Sequence, residues 1–189
     1  LLQGCRHRLP ANPPIAPRQT LHMLYRLCTY HDLTPGQNRQ LRDLQVHPEQ
    51  IAFCGDIESA LYSLPAQPVA GIKGFVMLSD EVPVAFLLLK REPLLAHWAE
   101  PQSATLHALQ VDKRVQGQGV GKQCLQLLAQ QLNEHWPDIH QIMLSVSPFN
   151  ASALAFYLSQ GWVESGEAYR GERRLIRSLA CSQPARHAC

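Results

Sequence analysis

The chain has 189 residues, 46% hydrophobic and 17% charged, with a formal net charge of +2. That length suits one domain with a real core, and the composition excludes a disordered chain. The near-balanced charge argues against a nucleic-acid partner, since the only dense basic clusters are Arg6-His7-Arg8 and the interrupted run Arg170–Arg177.

Residues 1–22 are rich in proline and arginine and lack the apolar stretch of a secretory signal. They are expected to be a flexible extension, with Met23 as a candidate natural start. Leu24–Tyr30 reads as a strand. Thr34-Pro35 opens a helix that continues to Leu44, and Pro48 opens another through Ile51, Ile57 and Leu61, ended by Pro65 and Pro68. Ile72–Leu78 and Val84–Leu89 flank a polar turn and form a hairpin signal. A linker over Glu92–Ser103 leads to a strand at Thr105–Val111. A glycine-rich turn then enters a helix from Gly119 to Asn133, stopped by Pro137, with Val120, Cys124, Leu127, Leu128 and Leu132 at helical spacing. Gln141–Val146 is a strand, and Ala151–Gln160 a helix stopped at Gly161. Val163–Tyr169 and Arg173–Leu179 are the last strands, and 181–189 is expected to be a flexible tail. The order predicts a single α/β (α+β) domain over 23–180, with a mixed sheet and helices on both faces.

No apolar run approaches the roughly 20 residues that cross a bilayer, so no membrane association is expected. The six cysteines form no C-x-x-C pair and the nine histidines no H-E-x-x-H or H-x-x-x-H spacing. Reduced thiols, a cytoplasmic location and no metal are expected.

The densest signal is Val111-Asp112-Lys113-Arg114-Val115-Gln116-Gly117-Gln118-Gly119-Val120-Gly121-Lys122. It joins a strand to a helix. Its glycines let backbone approach a ligand, and the amides at the helix start make an anion site suited to a pyrophosphate. A P-loop would need glycine at Gln116 and Ser or Thr at Gln123, and a dinucleotide fingerprint from Gly117 would need glycine at Lys122. Both fail. Gln116-x-x-Gly119-x-Gly121 instead resembles the Q/R-x-x-G-x-G/A motif of the GNAT superfamily of acetyl-CoA-dependent acyltransferases. The resemblance implies a mostly antiparallel central sheet of six to seven strands. It also implies that Gln116, Gly117, Gln118, Gly119, Val120, Gly121 and Lys122 hold the pyrophosphate of acetyl-CoA.

Leu144–Trp162 is similar to the later motif of that family, with Asn150, Ala153, Tyr157 and Gly161 at its N-x-x-A-x-x-x-Y…G-F spacing and Trp162 for the usual Phe. Asn150 suits a helix cap. Ala153 and Tyr157 share a helix face, so the small residue leaves room beside the ring. The resemblance implies that Asn150, Ala153 and Tyr157 border the coenzyme and that the Tyr157 phenol is the general acid for the leaving thiolate.

Strict alternation over Thr105–Val111 puts Thr105, His107, Leu109 and Val111 on one face. By resemblance, the backbone of Leu109, Gln110 and Val111 pairs with the pantetheine arm. His107 is a candidate general base. Its place resembles the catalytic histidine of arylalkylamine N-acetyltransferases, although their second histidine is Thr105 here. A packed strand histidine is equally open, with Glu81, Glu92, Glu100 or a water as other candidates.

Residues 46–61 are similar to bacterial diamine and polyamine acetyltransferases, in which this region walls the acceptor. The function expected is N-acetylation of a primary amine by direct attack on the thioester, with a small-molecule amine as acceptor. A non-catalytic coenzyme A-binding module and a protein lysine or N-terminal acetyltransferase are the alternatives. A homodimer is left open.

Overall fold

A computed structural model describes residues 24–179. The expected extension over 1–22, Met23 and the tail over 181–189 lie outside the described residues. Seven strands form one open sheet: β1 (Tyr25–Thr29), β2 (Ile72–Ser79), β3 (Val82–Lys90), β4 (Ser103–Val111), β5 (Gln141–Val146), β6 (Val163–Glu167) and β7 (Arg173–Ser178), in the order β1-β2-β3-β4-β5-β7-β6. Every neighbouring pair is antiparallel except β4 with β5. The β2–β3 hairpin turns tightly through Asp80 and Glu81, both with left-handed φ (47° and 67°), as a two-residue hairpin loop requires.

Helices cover both faces. α4 (Val120–His135) and α5 (Ala151–Ser159) bury Cys124, Leu125, Leu128, Leu132 and Tyr157 against Leu87, Leu89, Leu106 and Leu144. α1 (Pro35–Leu41) and α3 (Ile57–Tyr62) bury Leu41, Ile57, Ala60 and Leu61 against Val76, Leu78, Phe86 and Leu88 on the other side. α1 starts on a full capping box, in which the Thr34 hydroxyl accepts from the Gln37 amide and the Gln37 side chain returns to the Thr34 amide.

Two sequence expectations are corrected. The helix expected from Pro48 through Leu61 is three pieces: a 3-10 turn (Pro48–Gln50), α2 (Ile51–Cys54) and α3. Gly55, at φ 69°, breaks the run, and Asp56 caps α3 by accepting from the Ser59 amide. α1 likewise stops at Leu41 instead of continuing to Leu44.

The second correction concerns β4. Its register against β3 jumps between Phe86↔Gln110 and Leu88↔His107, so Ala108 and Leu109 share one opposing position. Ala108 has φ 47°. This bulge reverses the side-chain parity beyond it. Thr105 and His107 therefore do not share a face with Leu109 and Val111. His107 and Gln110 lie opposite Leu88 and Phe86, on the α1–α3 side, whereas Leu109 and Val111 pack on the α4–α5 side.

Candidate active site

The parallel pairing of β4 with β5 covers only Ser103–Thr105 against Gln141–Met143. Past Thr105 the strands part, while β5 stays paired with β7 along its whole length. The opening lies at the carboxyl ends of two parallel strands, where ligands of α/β sheets bind.

At its mouth sits the glycine loop. Gly117 (φ 76°) and Gly119 (φ 84°) take left-handed conformations, and a Cβ on either would meet nothing within 4 Å. Their glycine requirement is conformational, and the space above them is open. Gly119 is the N-cap of α4, makes no side-chain cap, and no acidic residue stands in the first turn. The first amides of this 16-residue helix have no side-chain cap, and the positive dipole end lies behind them, which fits a pyrophosphate. Gly121 is glycine for another reason: a Cβ there would lie 3.2 Å from the Phe156 ring and 3.8 Å from Val111, so α4 and α5 need its absence to approach. The turn before the loop is set by buried Asp112. It accepts from the Arg114 backbone amide (2.9 Å) and from its guanidinium at 2.8 and 2.7 Å. Burial works to raise the Asp112 pKa, but the bonds from Arg114 bring it below the usual carboxylate range. Gln118 and Lys122 are exposed on the loop, and Val120 is buried beneath it.

On α5, Asn150 Oδ1 accepts from the Ala153 amide at 3.1 Å, so its side chain is engaged as the helix cap. Ala153 packs at the edge of the core, and Tyr157 is 9% exposed, its ring edge-on to Phe156 and Trp162 at 5.2 and 5.5 Å. Burial, with smaller contributions from Cys54 and Cys124, raises the Tyr157 pKa well above the usual phenol range. The phenol therefore keeps its proton at any working pH.

On the opposite side, His107 Nε2 lies 2.9 Å from Thr105 Oγ1, which itself points to the Lys90 carbonyl at 3.4 Å. If the hydroxyl donates to that carbonyl, Nε2 carries the ring proton and Nδ1 is the free acceptor. Burial, helped by Lys90, lowers His107 from 6.5 to about 4. The other candidate bases are occupied or distant. Glu81 sits in the β2–β3 turn, bonded to Arg26 and Gln37, and Glu100 accepts from Gln141 at 2.8 Å. Glu92 is exposed in the linker.

Sequence reasoning missed two side chains. The family resemblance gives Gln110 a backbone role only, but its fully buried carboxamide donates to the carbonyls of Cys54, Gly55 and Asp56 at 2.8, 3.1 and 3.1 Å. Gln50, which no motif marks, exchanges hydrogen bonds with Gln116 at 2.8 and 3.1 Å. A buried glutamine between Leu109 and Val111 was the available signal for the first; nothing local marks the second.

The family model described as the Acetyltransferase (GNAT) family matches residues 35–162. The chain belongs to that family of acyl-CoA-dependent N-acyltransferases. No curated protein matches the sequence. Among solved structures, it is similar to an acetyltransferase from Thermus thermophilus, at 24% identity and a TM-score of 0.63 over 84% of this chain and 100% of that one. It is also similar to the ribosomal-protein-S18-alanine N-acetyltransferase from Escherichia coli, at 20% identity, TM-score 0.53, covering 88% and 99%. A third is the paia N-acetyltransferase from Thermoplasma acidophilum in complex with coenzyme A, at 17% identity, TM-score 0.56, covering 82% and 99%. At these identities the likeness concerns the fold. Among the described residues no helix is long and apolar enough to cross a membrane, and no group of three or more His, Cys, Asp or Glu could hold a metal ion.

Proposed function

We propose that the chain is an acetyl-CoA-dependent N-acetyltransferase that acts on a primary amine of a small molecule by direct attack within a ternary complex. The observation that carries this reading is the uncapped start of α4, open at the point where β4 and β5 part. The amides from Gln116 to Lys122 hold the donor's pyrophosphate, and the edge of β4 from Leu109 to Val111, unpaired toward β5, takes its pantetheine arm. Asn150 and Ala153 shape this border indirectly, one by capping α5 and the other by its small size beside Tyr157.

The acceptor nitrogen forms a bond to the acetyl carbon, the C–S bond breaks, and the departing sulfur takes the Tyr157 proton. A raised phenol pKa suits this role because the acid is always loaded. The proton shed by the nitrogen as the amide forms replaces, by way of solvent, the one that Tyr157 gave up, so the phenol is restored and the products are amide and free thiol. A histidine with a pKa of about 4 is neutral above pH 5 but a weak sink for an ammonium proton. His107 therefore suits a hydrogen bond that orients the amine, which enters as the free base.

The test is coenzyme A thiol release by purified protein over a panel of amines, amino acids and peptides. Release with small amines supports the reading. Release with peptides alone moves the acceptor to a protein lysine or N-terminus, and coenzyme binding without release from any acceptor makes the chain a non-catalytic module.

A further inference from the structure

The short segment from Gln50 to Asp56 is held to the coenzyme side of the molecule at both ends, each time by a glutamine carboxamide. At its start, Gln116 Nε2 donates both to Gln50 Oε1 (2.8 Å) and to the Val111 carbonyl (2.9 Å). Gln50 Nε2 returns to Gln116 Oε1 at 3.1 Å, and Gln50 Oε1 also accepts from the His47 amide at 3.1 Å. The first residue of the glycine loop, the last residue of β4 and the entry to α2 thus share one directional network. At the other end, Gln110 Nε2 gathers the carbonyls of Cys54, Gly55 and Asp56. That carboxamide cannot be reversed, because its oxygen would then face three carbonyl oxygens. Its own Oε1 has no partner among the described residues. The interaction holds the chain where it breaks at Gly55: the carbonyls of half-buried Cys54 and Gly55, released where α2 ends, accept from it.

Between these clasps, α2 presents Ile51 and Phe53, each 46% exposed, beside the half-buried Cys54. α2 touches β4 just past the bulge that turns His107 and Gln110 to this face. A movement of the glycine loop must therefore either carry α2 with it or break the Gln50–Gln116 pair.

We propose that Gln50 and Gln110 are positioning residues that make α2 ride on the coenzyme loop, so that donor binding at Gln116–Lys122 fixes the wall of the acceptor site. The proposal rests on reading that loop as the coenzyme site and α2 as part of the acceptor wall, as the resemblance of residues 46–61 implies. It has a chemical consequence: a loose acceptor wall before the donor arrives, and a firm one after.

Hydrogen–deuterium exchange with and without coenzyme A tests it in the full chain. In the wild type, coenzyme A is expected to slow exchange both at 116–122 and at 51–56. Gln50→Leu is expected to keep the first protection and lose the second. In turnover, its acceptor KM should rise about tenfold, the scale of losing one or two neutral hydrogen bonds, with the acetyl-CoA KM within about twofold of wild type. Gln50→Glu keeps the acceptor oxygen for Gln116 and His47 and should restore the protection. Gln110→Leu should speed exchange at 54–56 even without coenzyme; if that variant does not fold, Gln50→Leu carries the test alone. Protection at 116–122 without any at 51–56 in the wild type, or equal protection of 51–56 in Gln50→Leu, overturns the proposal. Protection at neither segment overturns the reading of the loop, and the proposal with it.

Discussion

On the α4–α5 side of the parted strands, the glycine loop and Tyr157 come from two unbroken stretches, 109–122 and 150–162. On the α1–α3 side, Gln50, Lys90, Thr105, His107 and Gln110 come from three separate elements. The α4–α5 side is largely local geometry: left-handed glycines, a helix start, a capped second helix. The α1–α3 side depends on a bulge, a broken helix and side-chain amides that bridge distant segments. The first is set mostly by neighbours along the chain, and the second only when the sheet is assembled.

The sharpest way to break that contrast is at Tyr157. Tyr157→Phe removes one hydroxyl from a packed ring and should lower kcat by roughly 10²- to 10⁴-fold, with coenzyme A affinity unchanged by calorimetry. Unchanged turnover across pH would place proton donation elsewhere. On the α1–α3 side, burial of His107 sets a stability profile. Its folded pKa lies below its unfolded value of 6.5, so the unfolded chain binds the proton first as pH falls. Stability should hold above about pH 6.5, decline toward about pH 4, and lose up to about 3 kcal/mol over that window. Denaturant titrations at several pH values, compared with His107→Leu, check this; a variant with the same acid slope as the wild type would refute it.

The two glycines of the loop sharpen the comparison further. Gly119→Val forces a β-branched residue into φ 84° and should weaken coenzyme A binding by about tenfold, from a strain of about 1–2 kcal/mol. Gly121→Val instead pushes on Phe156 and should lower the melting temperature, with Phe156→Leu restoring it. If the two substitutions have the same effect, the separation of ligand-facing from packing glycine is wrong. The smallest effect is expected at Asn150. Asn150→Ala removes the cap on α5 and should cost about 1 kcal/mol, or about 2–4 °C in melting temperature.

Much of the α4–α5 side was legible because its signals are confined to neighbours along the chain. The spacing of Gln116, Gly119 and Gly121 and the cap at Asn150 act within a turn or two, and each element type followed from them. Strand and helix order was legible for the same reason, since periodicity is a local property. The parity of β4 was not. Leu106-His107-Ala108-Leu109-Gln110 contains no glycine or proline to announce a bulge, and Ala108 enters φ 47° only because β3 fixes the register on either side. Gly55 was visible as a residue but reads through as helix in a count of apolar spacing; its left-handed φ and the Asp56 cap make the break, and Gln110, more than fifty residues on, holds it.

By itself, then, the sequence determined the family, the glycine turn that opens α4 and the capped start of α5, all through short-range backbone preferences. Only the tertiary structure decided which face His107 and Gln110 occupy, where α2 ends and what it is tied to. Those are settled by strand register and by hydrogen bonds between segments far apart in the chain, and neither can be counted along a single segment.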